Sequence, residues 1–264
     1  MIIVSLPGIT KEQMAEVDRV MVEDFKIPVE LMMELAGLNL AILALNLSQN
    51  KYSNYIIIAG TGNNAGGGIV AARRLASWGL NAQVFLPRGK SELKNVPKNQ
   101  CIRAKYLGIE IANGLPSNFL NFENDTLIID AYLGYGFSPR QDEISSNVFN
   151  FYSNLRNLIS LDIPSGLDAT TGESFSGINP VATLTLAYVK QGLLITEKEN
   201  VGELYIADIG IPINIYYKIL RNQWSPNFKK ASLHNLYFAF KRNPIHEVQV
   251  YRKKLRENSY WKVD

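Results

Sequence analysis

Four short segments hold the residues that could do chemistry, and each stands directly after an apolar run. They are Gly60-Thr61-Gly62-Asn63-Asn64-Ala65-Gly66-Gly67-Gly68, Asp130-Ala131-Tyr132-Leu133-Gly134-Tyr135-Gly136, Asp162-Ile163-Pro164-Ser165-Gly166 and Lys190-Gln191-Gly192. Singly, each has an ordinary reading: a glycine-rich turn, two capping aspartates, a solvated lysine. Together they would bring two carboxylates, two amides, a hydroxyl and an amine to one crevice. Two carboxylates held close repel strongly at low dielectric, so one is protonated or neutralised by a cation. Oxygens of Asn64, Asp130 and Ser165 suit a hard ion. Asp162 is then free for acid–base work, with Lys190 tuning it.

The glycine loop follows Tyr55 to Ala59 and precedes a helical pattern of Ile69, Val70, Ala71, Ala72, Leu75 and Ala76. Glycines admit a ligand close to the backbone, and a helix start adds partial positive charge, so the loop suits an anion such as phosphate. No Lys follows the glycines, which argues against a P-loop. A dinucleotide fingerprint accepts Gly60 to Ala65, yet the next strand, Ala82 to Leu86, is followed by Pro87-Arg88 with no acid; Arg88 would suit a 2′-phosphate. A third reading gives the two Asn amides a part in binding. Five glycines around two asparagines exceed what a turn requires.

The chain has 264 residues and 47% apolar content, enough for one sizeable core. No apolar run approaches the roughly 20 residues of a membrane span, and the first residues lack a basic, apolar leader, so no membrane association or secretion is expected. The single cysteine, Cys101, excludes an internal disulfide and fits a reducing cytoplasm. The two histidines, His234 and His246, stand near the C-terminus. The body before them therefore has no imidazole for a Ser-His-Asp machine or a His/Cys zinc site. From Arg221 onward ten Lys/Arg face three Asp/Glu, a net of +7 in a chain of net +3. Residues 221–264 read as a basic C-terminal extension of unknown role on a mildly acidic body.

To position the four segments, residues 1–220 must form one α/β domain. Thr10-Lys11-Glu12-Gln13 reads as a capping box opening a helix, and Pro28 opens a second that runs to Leu47. Strands are expected at 55–59, 82–86, 126–130, 157–163, 182–187 and 203–209, with a helix and a short strand at Ile109 to Ala112 inside 90–115. Their continuous apolar character fits a parallel sheet covered on both faces, with ligands outside the carboxyl ends of the strands.

Gly62-Asn63-Asn64-Ala65-Gly66-Gly67-Gly68 resembles the Gly-Asn-Asn-Gly-Gly-Asp-Gly loop of NAD(P)H-hydrate epimerases, the YjeF N-terminal domain family. Leu31-Met32-Met33-Glu34-Leu35-Ala36-Gly37, the Asp130, Asp162 and Lys190 segments, and Gly202 to Pro212 follow in the family's order, so the likeness covers most of residues 8–213. It implies a Rossmann-like three-layer α/β/α sandwich with a mostly parallel central sheet. The implied activity is an isomerase of metabolite repair that interconverts the R and S forms of hydrated NADH and NADPH (NADHX, NADPHX). It also implies a homodimer, a separate dehydratase as functional partner, and potassium held by Asn64, Asp130 and Ser165. Substrate contacts are implied at Asn63, Asn64, Ala65, Gly66 and Gly67, at Gly134-Tyr135-Gly136-Phe137-Ser138-Pro139-Arg140 and at Asp162, with Asp162 and Lys190 as the catalytic residues. The family's loop Asp is Gly67 here, and Ala65 replaces a Gly.

Two other functions fit parts of the sequence. One is a catalytically weakened binding module, with RNA held by the basic extension through Tyr237, Phe238, Phe240, Tyr251 and Trp261. The other is an NADP-dependent oxidoreductase using Arg88, which leaves Pro164-Ser165-Gly166 and Lys190-Gln191-Gly192 without a task.

Overall fold

The computed structural model describes residues 8–49, 51–117, 125–138, 142–220, 230–251 and 260–263. Two helices precede the sheet. α1 (Lys11–Arg19) starts at the expected capping box, in which Thr10 and Gln13 satisfy each other's backbone N–H groups, and it buries Met14 and Val17. α2 (Val29–Ser48) follows Pro28, whose fixed φ suits a helix entry. By length and composition α2 is apolar enough to cross a membrane, contrary to the sequence expectation, but more than half of it is buried inside the fold.

The sheet has nine strands: β1 (Asn54–Ala59), β2 (Asn81–Leu86), β3 (Glu110–Asn113), β4 (Thr126–Ala131), β5 (Leu158–Leu161), β6 (Ala182–Leu186), β7 (Glu203–Ala207), β8 (Ile245–Tyr251) and β9 (Tyr260–Val263), in the order 3-2-1-4-5-6-7-8-9. β1 to β7 pair in parallel, and β8 and β9 close the far edge antiparallel. The chain leaves β1 toward β2 and β3, then returns to lay β4 on β1's other side. That reversal makes the crevice outside β1 and β4 the natural ligand site.

Crossover helices cover both faces. α3 (Asn63–Ser77) and α4 (Asn95–Tyr106) lie on one side with α2, and α5 (Glu143–Ser153) on the other. Alternation along β1 assigns the layers: Tyr55, Ile57 and Ala59 pack with Leu40 of α2 and Ile69 of α3, while Ile56 and Ile58 pack with Val148 and Tyr152 of α5. The expected three-layer sandwich is present. α6 (Gln191–Ile195), α7 (Ile213–Leu220) and α8 (Lys230–Phe240) complete the helices among the described residues.

Two expectations are corrected. β5 and β6 stop at Leu161 and Leu186, so Asp162 and Ala187 each lie just past a strand rather than inside it. The basic segment is built onto the same sheet through β8, and Leu233 and Leu236 of α8 join the core containing Met14 and Val17. Tyr237 donates to the Ile211 carbonyl and Phe240 is buried, so two of the aromatics considered for RNA are turned into the fold. The side chains of Tyr251 and Trp261 lie outside the described residues.

Candidate active site

A crevice of about 770 Å³ runs along the carboxyl ends of the central strands. Its lower wall is the start of α3. Gly62 caps that helix with no side-chain hydrogen bond, and Gly62, Asn63 and Asn64 line the crevice at the helix start. Not all of the loop's glycines serve a ligand. A Cβ on Gly60 would lie 1.9 Å from the Tyr132 carbonyl oxygen, and one on Gly68 would lie 2.4 Å from the Ala131 Cβ. Those two let α3 sit against β4.

Asp162 is the first residue past β5. Its N–H donates to the Leu184 carbonyl (2.7 Å), and Ile163 N–H donates back to Leu161 (2.9 Å), forming a γ-turn with Asp162 at φ 67°. Left-handed backbone strains a non-glycine residue and is retained where surroundings enforce it. Here it turns the carboxylate into the crevice. Asp162 Oδ1 accepts from Lys190 Nζ at 2.5 Å, and Oδ2 accepts the Tyr135 N–H at 2.9 Å. Lys190 is fully buried and also donates to the Leu186 carbonyl at 2.7 Å. The N-terminal segment holds this lysine in place: Ile9 N–H donates to Val189 O and Gln191 N–H donates to Ile9 O, both at 2.9 Å.

Gly134 fits between Asp162 and Asn64; a Cβ on it would lie 3.1 Å from Asp162 Oδ2 and 3.2 Å from Asn64 Cβ. Asn64 Nδ2 donates to the carbonyls of Leu133 (2.8 Å) and Leu161 (3.2 Å). Its Oδ1 is buried with no partner among the described residues. Behind the crevice wall Asp130 is wholly buried. It accepts from Ser165 Oγ (2.5 Å), Ser165 N–H (2.8 Å), Ser160 Oγ (3.0 Å) and Tyr132 N–H (3.1 Å). Burial raises its pKa, and the bonds from Ser165, Tyr132 and Ser160 oppose that rise. Ser165 Oγ also accepts the Leu133 N–H (2.8 Å), which ties Asp130 to the loop beside Asn64.

Of the residues singled out in the sequence, Asn63, Asn64, Gly67, Gly134, Tyr135, Gly136, Phe137, Ser138, Asp162 and Lys190 line one crevice. Ala65 and Gly66 do not: both are buried in the first turns of α3, and a Cβ on Gly66 would lie 2.4 Å from Met33 Sδ. Asp130 and Ser165 stand behind the wall. Pro139 and Arg140 lie outside the described residues. Arg88 reaches the far end of the crevice but is bound to Asp142 (2.6 Å), Tyr132 (3.0 Å) and Ser145 (2.9 Å), which occupies the guanidinium proposed for a 2′-phosphate.

Two features were not read from sequence. Met14, Met32 and Met33 form an apolar wall, and Asp18 of α1 faces the crevice and accepts the Tyr135 hydroxyl at 2.6 Å. Asp18 stands one turn past buried Met14 at the edge of the apolar stripe of α1, but its pairing with Tyr135 shows only in the fold.

A family described as YjeF-related protein N-terminus matches residues 29–192. The chain is 35% identical to the NAD(P)H-hydrate epimerase of Dehalogenimonas lykanthroporepellens over 84% of its length and 90% of that protein. It is 32% identical to the NAD(P)H-hydrate epimerase of Lentilactobacillus buchneri over 77% and 94%. It is also 31% identical to a bifunctional NAD(P)H-hydrate repair enzyme Nnr of Moorella thermoacetica, over 77% of this chain and 40% of that one. The crystal structure of yeast YNL200c superposes with a TM-score of 0.72 at 25% identity, covering 85% of this chain and 97% of that one.

Proposed function

The chain belongs to the YjeF-related N-terminal family, and we propose on that premise that it is an isomerase that interconverts the R and S forms of hydrated NADH and NADPH. The observation that carries this reading is the buried Asp162–Lys190 couple, which opens onto a crevice built around a helix N-terminus. The reacting carbon of NADHX bears both the ring nitrogen and a hydroxyl. Protonation of the hydroxyl lets the nitrogen's electron pair expel water and leave a flat iminium cation; water returning to the other face inverts the centre. The backbone N–H groups at the start of α3 hold the pyrophosphate during inversion. Asp162, held by Lys190, exchanges the proton, and its negative charge then stabilises the cation. The absence of imidazole from residues 1–220 is no obstacle, since the reaction asks for neither a hydride acceptor nor a histidine.

The same reading includes potassium. The unpartnered Asn64 Oδ1 beside the Asp130–Ser165 pair is an all-oxygen donor set that suits a hard cation, and Asn64, Asp130 and Ser165 are the residues that would hold it. When bound, the ion offsets the charge of Asp130 behind the wall. We further place the protein as a cytoplasmic homodimer with a separate dehydratase consuming the S form. Leu31 and Leu35, exposed one turn apart on α2, support self-association. The bifunctional repair enzyme among the relatives supports the coupling.

The experiment is to supply R-NADHX with a separate S-specific dehydratase and follow the return of NADH. Acceleration over spontaneous epimerisation, lost in Asp162→Asn, is expected. No acceleration by the wild-type chain overturns the reading.

A further inference from the structure

Beside Asp162, the crevice holds a second, half-buried carboxyl that no Lys or Arg side chain pairs with among the described residues: Asp18. It belongs to α1, one turn past Met14 on the inward side of that helix. Its Oδ2 accepts the Tyr135 hydroxyl at 2.6 Å, while the N–H of the same Tyr135 donates to Asp162 Oδ2 at 2.9 Å. One tyrosine thus spans two acids. Lys190 Nζ stands 5.9 Å from the centre of its ring. Burial raises the Asp18 carboxyl, and the charges of Lys190 and Asp162 reach it with opposite signs, so the two acids are electrostatically coupled. Burial and Asp18 together hold the Tyr135 phenol well above its usual range, so it keeps its proton.

Inversion by loss and return of water is a two-sided reaction. Water departs from one face of the ring and adds to the other. A single acid–base couple placed at one face can return water only where it left. We propose, resting on the epimerase reading, that Tyr135 held by Asp18 is a second proton-handling couple, serving the ring face that Asp162 and Lys190 do not serve. In one direction Tyr135 gives its proton to the departing hydroxyl and recovers one from the Asp18 carboxyl. The C–O electron pair leaves with the water, and the ring-nitrogen pair forms the C=N bond. A second water adds to the opposite face, its oxygen pair making the new C–O bond, and its proton passes to the Asp162 carboxylate. In the other direction the two couples exchange roles, and proton exchange with solvent resets them.

The test uses the full chain and, in separate runs, R-NADHX and S-NADHX in ¹⁸O-water, with the dehydratase left out. Mass spectrometry reads exchange of the hydroxyl oxygen, and chiral separation reads inversion, each corrected for the uncatalysed rate. The wild type is expected to exchange and invert at comparable rates. Asp18→Asn and Tyr135→Phe are expected to slow inversion from either epimer by about 10²- to 10⁴-fold, the range of one acid–base group, while Asp162 still washes oxygen into the epimer whose hydroxyl it faces. The ratio of exchange to inversion then rises by more than about tenfold. A merely structural role lowers both rates together for both epimers, so a ratio unchanged with both epimers in a folded variant overturns the proposal; either variant suffices if the other does not fold. A wild type that neither exchanges nor inverts overturns the epimerase reading, whereas an active wild type with unchanged ratios in the variants overturns this inference alone.

Discussion

Asp162 and Ala187 are the first residues past the neighbouring parallel strands β5 and β6, and both adopt left-handed backbone, with φ of 67° and 65°. Each is the centre of a γ-turn: Ile163 N–H donates to Leu161 O at 2.9 Å, and Tyr188 N–H donates to Leu186 O at 2.7 Å. One turn aims the acid, and the other delivers the chain to Lys190. The paired turns explain how two side chains 28 residues apart meet at 2.5 Å.

Ala187 carries the strain without a charge to justify it, so it reports the turn's cost. Ala187→Gly removes the left-handed penalty but also a buried methyl, and its stability is expected within about 1 kcal/mol of wild type. Ala187→Val places a branched side chain where φ is positive and is expected to lose about 2 kcal/mol or more. Urea unfolding of the two variants checks this; equal stabilities would show that the turn is not enforced.

The Lys190–Asp162 pair is almost wholly buried, with side-chain exposures of 1% and 6%. Removing one partner of such a pair leaves an uncompensated charge. Lys190→Met is therefore expected to destabilise the fold by about 3–5 kcal/mol. Adding Asp162→Asn to it is expected to restore most of that loss without restoring epimerisation. If the double variant stays as unstable as Lys190→Met, the lysine's packing rather than its charge holds the site.

Asn64 offers a direct test of the proposed cation site. Potassium that binds only the folded chain raises its melting temperature by mass action. Wild type moved from choline chloride to potassium chloride at equal ionic strength is expected to gain melting temperature and activity. Asn64→Ala, which removes the orphan oxygen, is expected to lose most of that response. A response of equal size in both proteins would place the ion elsewhere.

Gly67 lies within α3 and faces the crevice, and a Cβ there meets only the flexible end of Leu161, at 2.9 Å. Asp18 and Asp162 already line the crevice. Gly67→Asp is accordingly expected to fold and to change kcat/KM by less than about tenfold, equivalent to about 1.4 kcal/mol of transition-state energy. A larger gain, measured in the coupled dehydratase assay, would show that the pocket lacks an acid it needs.

Much of this was legible in the sequence because the signals were local. The capping box at Thr10, the strand runs and the strand-end polar residues all depend on near neighbours, and the structure places them as the spacing implies. The glycine loop shows where local reading overreaches. Its excess glycine suggested ligand contact, yet Gly60 and Gly68 answer to Tyr132 and Ala131, more than sixty residues away. Asp18 shows the converse: its spacing from Met14 puts it beside the apolar stripe, but its meeting with Tyr135 depends on α1 packing beside α7 and on the pairing of Ile9 with the Lys190 segment, which the helix's own pattern does not show. The basic extension was set apart by charge, but α8 buries Leu233 and Leu236, and a net charge says nothing about such a stripe.

Asp18 also makes a prediction about stability and pH. Burial raises its carboxyl most; the Tyr135 hydrogen bond and Lys190 oppose the rise, and Asp162 adds to it. Tyr216, from α7, is the remaining group that feels its charge. A carboxyl raised in the folded state binds its proton more tightly there than in the unfolded chain. Its contribution is complete below the unfolded value of about 4 and is lost as pH rises through the folded value. Asp18→Asn keeps an acceptor for Tyr135 but cannot ionise. The wild type is therefore expected to lose stability relative to Asp18→Asn as pH rises above about 4. Melting temperatures of the pair across that range decide it. A constant gap would mean that Asp18 titrates in the fold as it does in the open chain.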